Sequence, residues 1–239
     1  MAEAGRILRE VLQKTADAAG VGVALRYLDS FAEGMIRSAG AEPAFLGYKP
    51  YGAVRPYPAT ICSSVNDIVV HGLPTTYKLR NSDLLKIDLG VKLNGYYADA
   101  AVTVPIGQVT GEARKLIEAT RKSLILGIKQ MKPGNHLGDI GYAVDKYVRS
   151  RGFRAVQGLT GHGIGTALHE DPSVFNEGKA GSGIELRPGM VLAIEPMICA
   201  GSPKVVQLPD DSYATEDGSL SAHFEHTVAI TETGPEILT

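Results

Sequence analysis

The segment Leu84-Leu-Lys-Ile-Asp-Leu-Gly-Val-Lys-Leu-Asn-Gly-Tyr-Tyr-Ala-Asp-Ala-Ala-Val-Thr-Val104 predicts the centre of the fold. Its strand-like runs Leu84–Val91 and Tyr96–Val104 lie on either side of Asn94-Gly95. Asn-Gly between two such runs is the strongest short signal for a two-residue hairpin turn, because both residues tolerate a positive φ. The sequence therefore predicts an antiparallel hairpin that turns at Asn94-Gly95.

Two aspartates lie on one face of this predicted hairpin. In the register set by the turn, Asp99 faces Gly90 and Asp88 faces Ala101, so the aspartates are diagonal neighbours with Cβ atoms roughly 7–8 Å apart. Burying a bare pair of carboxylates is costly, so such a pair is ion-paired, protonated or bound to metal. The separation suits two metal ions about 3.5–4 Å apart. A hairpin with this face in solvent would carry the same residues, and the hairpin alone leaves both interpretations open.

A repeated helical pattern indicates two related halves. Apolar stripes predict two helices within residues 1–40, ending near Gly20 and Gly40. The pattern returns 112 residues later, where Leu25, Leu28, Met35, Ile36, Arg37, Ser38 and Gly40 fall on Leu137, Ile140, Tyr147, Val148, Arg149, Ser150 and Gly152. This match predicts one domain, 1–239, with an internal repeat of about 5–105 and 112–235 and a site where the halves meet.

The composition excludes several classes of function. The 239 residues are 44% hydrophobic and 21% charged with a net charge of −2, which is typical of a globular domain and favours neither nucleic-acid nor membrane binding. No apolar stretch approaches the ~20 residues that span a bilayer, and the N-terminus lacks the pattern of a secretory signal. The two cysteines, Cys62 and Cys199, form no metal-binding Cys-x-x-Cys pair and indicate a reducing, cytoplasmic compartment.

Two glutamates lie in later predicted strands. The apolar run Met190–Glu195 predicts a buried strand ending in a glutamate, which needs a partner that no adjacent Lys or Arg supplies. The run His223–Ile230 predicts another strand, on which Glu225 shares a face with His223 and Thr227. Glu225 by itself indicates no particular role.

A glycine-bracketed histidine is the remaining local clue. His162 lies in Gly161-His-Gly-Ile-Gly165, and glycine lets another backbone approach closely. A single histidine is more often structural than a metal ligand. The flanking glycines, and His169 seven residues later, favour a functional role.

These segments together resemble the methionine aminopeptidase family. The matching stretches are Cys62-Ser-Ser-Val-Asn-Asp-Ile-Val-Val-His-Gly-Leu-Pro74, Lys86-Ile-Asp-Leu-Gly90 with Asp99, Gly161-His-Gly-Ile-Gly165 with His169-Glu-Asp-Pro172, Ile194-Glu-Pro-Met197 and Ser221-Ala-His-Phe-Glu-His-Thr227. The match runs in order from Ala4-Gly-Arg to Glu236-Ile-Leu-Thr239, so it covers essentially the whole chain. The short spacing between its later segments resembles the type I form.

The resemblance implies the α/β pita-bread fold, with two pseudo-symmetric halves of helix pair and strands around a central antiparallel sheet. It also implies a single catalytic domain with two divalent metal ions, held by Asp88, Asp99, His162, Glu195 and Glu225. Four carboxylates and one imidazole form a hard donor set, which suits Mn(II), Fe(II) or Co(II) at least as well as Zn(II). The identity of the metal stays open.

The resemblance further implies the roles of individual side chains. Glu195 would carry a proton from the attacking water to the leaving amine, while His71 and His169 would hydrogen-bond the substrate. The substrate pocket would be lined by Tyr48, Cys62 and Leu168, with Tyr57 as a further candidate. The chain departs from the family at Leu168, where an aromatic residue is expected, at His223, where glutamine is frequent, and in a longer loop that includes residues 49–58.

The sequence thus predicts a cytoplasmic, monomeric metalloexopeptidase that removes the initiator methionine from nascent proteins. Its partners would be nascent N-termini, with the ribosome as a candidate, and neither nucleic acid nor membrane. One alternative is an Xaa-Pro aminopeptidase or prolidase; those enzymes usually carry an additional N-terminal domain, whereas Met1–Gly40 already belongs to the first repeat. Another is a non-catalytic pita-bread binding module, which the complete ligand set disfavours.

Overall fold

The computed structural model describes residues 1–49 and 55–239; residues 50–54 of the predicted loop Tyr48–Pro58 lie outside the described residues. The elements, numbered in chain order, are α1 (Ala2–Ala18), α2 (Leu25–Ser38), β1 (Glu42–Pro43), β2 (Ile61–Val65), β3 (Ile68–Val70), β4 (Leu84–Leu93), β5 (Tyr96–Pro105), α3 (Gly111–Ile128), α4 (Leu137–Ser150), β6 (Arg154–Ala155), β7 (Thr160–Gly163), β8 (Glu170–Phe175), β9 (Val191–Ile194), β10 (Met197–Cys199), β11 (Val205–Gln207), β12 (Tyr213–Thr215), β13 (Ser221–His223), β14 (His226–Thr231) and β15 (Gly234–Ile237).

The predicted hairpin is confirmed in type and register. Strands β4 and β5 pair antiparallel, with Asp88 opposite Ala101 and Asp99 opposite Gly90. The turn residues Asn94 and Gly95 both have positive φ, 50° and 81°, as a type I′ turn requires. One face of the hairpin packs against α1 and α2 in an apolar core. The aspartates therefore project from the opposite face, towards the second half of the chain.

The sheets are all antiparallel in the part of the chain that the structure describes. In one sheet, β4 pairs with β5 along its whole length and also with β1 and β2. The other sheets have the orders β13-β10-β6, β11-β12-β3 and β15-β14-β9-β7-β8. This arrangement confirms the predicted mixed α/β class. No helix among these residues is both long and apolar enough to cross a membrane.

One of the two later strand predictions is confirmed and the other is wrong. The run Met190–Glu195 contains a single strand, β9, which ends at Ile194, and a break at Pro196 separates it from β10 in another sheet. The run His223–Ile230 is divided, because β13 ends at His223 and β14 begins at His226. Proline cannot donate to a strand ladder, which explains the first break. At the second break, Glu225 N–H donates to Ala101 O of β5, which belongs neither to the sheet of β13 nor to the sheet of β14.

The second helices of the two pairs, α2 and α4, begin 112 residues apart. Helices α2 and α4 each have 14 residues, Leu25–Ser38 and Leu137–Ser150. The residue before each helix forms an isolated antiparallel bridge, Ala24 to Lys78 and His136 to Glu185. Each helix is also followed by a glycine with positive φ.

Two buried threonines join β5 to the segment that contains β13 and β14. The Thr227 hydroxyl accepts from Asp99 N at 2.9 Å and donates to Asp99 O at 2.8 Å. The Thr103 hydroxyl does the same for the opposite strand, since it accepts from His223 N at 2.9 Å and donates to His223 O at 2.7 Å. Each hydroxyl thus satisfies both backbone groups of the residue that it faces.

Midway between these pairs, Glu225 N donates to Ala101 O at 2.9 Å. The three contacts, Thr227 with Asp99, Glu225 with Ala101 and Thr103 with His223, are here named the threonine seam. They run antiparallel along the join between the hairpin and the C-terminal strands. The seam therefore places Asp99 and Glu225 side by side.

Replacing Thr227 tests the seam. Thr227→Val keeps the shape of the side chain but leaves Asp99 N–H and C=O buried without the hydroxyl, so the free energy of unfolding is expected to fall by about 1–3 kcal/mol. Urea unfolding at equilibrium measures the change. Thr120→Val is the matched control, because the buried Thr120 hydroxyl bonds only Leu116 O, a helix carbonyl four residues earlier. Equal losses in the two variants would contradict the importance of the seam.

Candidate metal centre

The five predicted ligands converge from four segments of the chain: the β4–β5 hairpin, β7, the residue after β9 and the link between β13 and β14. Their donor atoms form overlapping clusters within 4.8 Å, with Asp88, Asp99 and Glu225 in one and His162, Glu195 and Glu225 in another. All five side chains line a single cavity of about 1310 Å³. The structure thus brings together every side chain that the sequence predicted to hold metal.

Two glycines allow His162 to reach this position. A Cβ atom at Gly161 would collide with Ala193 O, and one at Gly163 would collide with Asp171 O. Glycine has no Cβ atom, so β7 can lie this tightly against β8 and β9 without a collision at either position. The expectation that the glycines permit close backbone approach is confirmed.

The hydrogen bonding of His162 leaves one ring nitrogen free. Its Nδ1 lies 2.7 Å from Gly163 O, and a carbonyl only accepts, so Nδ1–H donates. Nε2 then carries the lone pair and faces Glu195 Oε1 at 3.6 Å and Asp99 Oδ2 at 4.0 Å. Burial lowers the pKa of His162, which keeps the ring neutral. A neutral imidazole fixed in this way is the form that binds a metal ion.

The carboxylates lack the partners that buried charges require. Asp88 Oδ1, Asp99 Oδ1 and Glu225 Oε1 are buried and have no hydrogen-bond partner among the residues that the structure describes. In residues 1–49 and 55–239, no Lys or Arg forms an ion pair with any carboxylate of the cluster. Burial raises the pKa of Asp99 to about 7, and burial with the neighbouring carboxylates raises the pKa of Asp88 and Glu225 well above the usual range. Divalent cations would supply the missing positive charge, so the donor set fits them.

Glu195 has a different environment at each carboxylate oxygen. Oε1 faces His162, as described, whereas Oε2 lies 3.5 Å from Nε2 of His223. Its backbone is held by Asn176, whose Nδ2 donates to Glu195 O at 3.0 Å. Burial, followed by the charge of Asp99, raises its pKa well above the usual range. A carboxylate with a raised pKa is able to exchange protons near neutral pH.

His169 lies against the cluster but is also tied to the cavity wall. Its Nδ1 is 2.8 Å from the Tyr48 hydroxyl, and its ring meets that of His162 edge to face at 4.4 Å. One of its nitrogens lies within 4.8 Å of donor atoms of Asp99 and His162. Burial, then the neighbouring imidazoles of His162 and His71, lower its pKa to about 3, so it is neutral.

His71 lines the same cavity from the β3 side. It has a φ of 60°, in the left-handed region that non-glycine residues seldom adopt, and its ring packs against that of Tyr213 at 5.8 Å. Strained backbone of this kind concentrates at functional sites, because the surrounding structure must hold it. The positive φ of His71 therefore favours a functional role for this residue.

The predicted pocket residues cluster beside the carboxylates. Tyr48, Cys62 and Tyr57 line the cavity together with Phe45, and they pack into one apolar cluster. Leu168 belongs to that cluster but is buried behind it and, within the described residues, does not line the cavity. The hydroxyl of Tyr57 donates to backbone carbonyls and is therefore fixed. The result is a largely apolar chamber next to the candidate metal centre.

The sequence matches metallopeptidase family M24 over residues 1–232. The chain belongs to this family. Among its relatives, methionine aminopeptidase 1 of Bacillus subtilis is 44% identical, over 100% of this chain and 94% of its own length. Methionine aminopeptidase 1 of Mycobacterium tuberculosis is 45% identical, over 100% and 91%.

Solved structures confirm the fold. The crystal structure of a methionine aminopeptidase from Thermotoga maritima has a TM-score of 0.95 and 39% identity, covering 100% of this chain and 94% of that one. A prolidase from Pyrococcus furiosus has a TM-score of 0.77 and 22% identity, covering 100% and 62%, so the likeness concerns the fold alone. The predicted pita-bread fold is therefore confirmed, as is the resemblance to methionine aminopeptidases.

Within this M24 scaffold, the burial of two polar side chains was not predicted from sequence. Lys86 is 1% exposed, and its Nζ donates to Asn66 O at 2.6 Å and to Ser221 Oγ at 3.2 Å. It fastens β4, two residues before Asp88, to the start of β13. Sequence analysis placed His223 on a strand face with Glu225 and noted it as a departure from the family, without predicting its burial. Burial, then His71 and Lys86, lower its pKa to about 3. A charged residue on the aspartate face of the hairpin was the one signal available for Lys86.

Removing one carboxylate tests the electrostatics of the centre. Glu225→Gln keeps the size of the side chain but removes an acidic group from a cluster that forms no ion pair with a Lys or Arg of the described residues. We expect the metal-free protein to unfold at a higher temperature, by about 2–4 °C for each 1 kcal/mol of repulsion relieved. Binding of Mn(II) should weaken at the same time. Thermal unfolding in chelator and isothermal titration calorimetry measure the two effects.

The control for this variant is Glu216→Gln, which changes an exposed glutamate outside the cavity. It should leave both the unfolding temperature and the Mn(II) affinity unchanged. A Glu225→Gln protein that binds Mn(II) as tightly as the wild type would count against the metal centre.

Proposed function

We propose that the chain is a methionine aminopeptidase that uses divalent metal to remove the initiator methionine from nascent proteins. The observation that carries this proposal is the carboxylate and imidazole cluster beside an apolar chamber, in one cavity of an M24 metallopeptidase. Its support includes full-length relatives that are named methionine aminopeptidases. Nascent N-termini would be the substrates, and the ribosome is the candidate place of encounter in the cytoplasm.

The proposed cofactor is a pair of divalent ions, Mn(II), Fe(II), Co(II) or Zn(II), held by Asp88, Asp99, His162, Glu195 and Glu225. When bound, such ions polarise the scissile carbonyl and make water a better nucleophile at neutral pH. The orphaned oxygen atoms of three of these carboxylates support the assignment. Four separate segments supply the ligands, so each ligand depends on the packing of the whole fold.

Glu195 is assigned the proton transfer. One of its oxygens faces the cluster, and its raised pKa allows it to take a proton from the attacking water and later give it to the leaving amine.

The two non-ligand histidines are assigned to the substrate. If the Tyr48 hydroxyl donates to Nδ1 of His169, the ring proton of His169 lies on Nε2 and is free to donate to the scissile carbonyl. A neutral donor stabilises the negative charge that develops on this oxygen. His71, across the cavity, would bind the substrate amide.

The apolar chamber is assigned to the methionine side chain. A flexible, unbranched thioether fits a narrow apolar pocket such as that between Phe45, Tyr48 and Cys62. Burial raises the pKa of the Cys62 thiol well above its usual value, so this cysteine acts as an apolar wall rather than as a nucleophile. Leu168 would shape the pocket from behind.

We further propose that residues 1–239 form one catalytic domain, monomeric in solution, made of two related halves. The equal lengths of α2 and α4, and the reciprocal threonine contacts of the seam, support this relation.

The competing activity is that of an Xaa-Pro aminopeptidase or prolidase, which shares the fold. Turnover of Met-Ala-Ser and of Ala-Pro-Ala, each with added Mn(II) or Co(II), separates the candidates. We expect release of methionine from the first peptide and little cleavage of the second. Preference for Ala-Pro-Ala would favour the prolidase-like activity, and no turnover of either peptide by metal-loaded protein would favour a binding module.

Loss of one aspartate should remove both metal and activity. In Asp99→Ala the remaining carboxylates no longer enclose the ions, so the metal stoichiometry should fall and methionine release should cease. Elemental analysis after dialysis and a peptide assay measure the two results. Asp145→Ala, which changes an aspartate of α4 that does not line the cavity in the described residues, is a control that should keep both. Normal metal content and a normal rate in Asp99→Ala would contradict the dinuclear site.

Comparison of two histidine variants separates substrate binding from metal binding. His169→Ala should lower kcat by a factor on the order of 10²–10³, with bound metal and thermal stability almost unchanged. His162→Ala removes a ligand and should lower both metal content and rate. If His169→Ala loses metal as His162→Ala does, the proximity of His169 to Asp99 reflects ligation and the assigned role is wrong.

A further inference from the structure

His223 is a buried residue whose two ring nitrogens do not help to hold the described part of the fold together. It is 1% exposed, and neither Nδ1 nor Nε2 has a hydrogen-bond partner in the described part of the chain. Its backbone N–H and C=O are held by Thr103 in the threonine seam, which fixes the position from which the ring projects. Buried polar atoms without partners are rare because they cost free energy. The unpartnered ring nitrogens therefore indicate that the His223 side chain has a hydrogen-bonding role.

The nearest candidate for that contact is Glu195. Nε2 of His223 lies 3.5 Å from Glu195 Oε2, slightly too far for a good hydrogen bond. The other oxygen of the same carboxylate, Oε1, faces His162. Glu195 thus lies between two imidazoles, one on the side of the metal cluster and one on the opposite side.

We propose that His223 is a positioning residue, whose Nε2–H donates to Oε2 of Glu195 and holds this carboxylate in the orientation that binds divalent metal. The inference rests on the proposed metal centre. A small rotation of the glutamate closes the distance to the usual ~2.9 Å. Ionised carboxylates only accept, so the imidazole must be the donor. Hydrogen bonds that orient ligating carboxylates typically contribute 10–100-fold to metal affinity.

The rival explanation is that the ring of His223 only fills space in the core, beside the sheet in which His223 of β13 lies opposite Met197 of β10. The two explanations predict opposite results for an apolar replacement. If the ring only fills space, His223→Leu disturbs packing and lowers the stability of the metal-free protein. If it is kept as a donor, the same change removes two unpartnered buried nitrogens, so the metal-free protein loses no stability while metal binding weakens.

The experiment compares His223→Leu, His223→Gln and the wild type, all stripped of metal. Mn(II) affinity is measured by isothermal titration calorimetry, and the unfolding temperature is measured in chelator. We expect His223→Leu to bind Mn(II) 10–100-fold more weakly with no loss in unfolding temperature. His223→Gln restores an N–H donor and should recover most of the affinity. His226→Leu is the control, because His226 is a neighbouring histidine whose Nδ1 contacts Thr239, and its affinity should equal that of the wild type.

Unchanged Mn(II) affinity in His223→Leu would overturn the proposal, as would an equal loss in His223→Gln and His223→Leu. If His223→Leu binds Mn(II) more weakly and its metal-free form also unfolds at a lower temperature than the wild type, the proposal is overturned in favour of a packing role. Should His223→Leu fail to fold, His223→Met is measured in its place by the same criteria. Failure of the proposed function is distinguishable, because in that case the wild-type protein itself binds no divalent ion or releases no methionine.

Discussion

Negative charge gathered in one place is the constraint that shapes the rest of the molecule. Asp99 and Glu225 are buried, Asp88 and Glu195 are half-buried, and no Lys or Arg in residues 1–49 and 55–239 is ion-paired with any of them. Without metal, this crowding opposes folding, so the backbone must be held by contacts elsewhere. Divalent ions convert the same crowding into attraction, and the free energy of ion binding then adds to that of folding.

The threonine seam supplies part of the rigidity that the carboxylates need. A hydroxyl group both donates and accepts, so one threonine satisfies the N–H and the C=O of the residue opposite. Thr227 does this for Asp99, and the side chain of Asp99 consequently stays free to face the cavity. Lys86 adds a second tie between the hairpin and the C-terminal strands through Ser221. Both devices join the hairpin to the C-terminal strands without using a carboxylate.

Local rules explain which parts of this arrangement were predictable. Asn94-Gly95 sets the turn, and alternation along a strand then puts Asp88 and Asp99 on one face, so the hairpin and its register followed from sequence. The break at Glu225 did not, because apolar patterning does not show that the chain passes from one sheet to another there. The complete ligand set accordingly depended on the family resemblance. The spacing of the residues alone left even His162 open.

The breaks themselves explain why contacts gather around the glutamates. The aspartates lie on an intact hairpin, whose pairing fixes the direction of each side chain. Glu195 lies past the end of β9, where no ladder constrains it, and its position depends on Asn176 at the backbone and on His162 and His223 at the two oxygens. A ligand that leaves its strand must be oriented by side chains from other elements. Replacement of a neighbour such as His223 should therefore change metal binding more than replacement of any residue beside the aspartates on the hairpin.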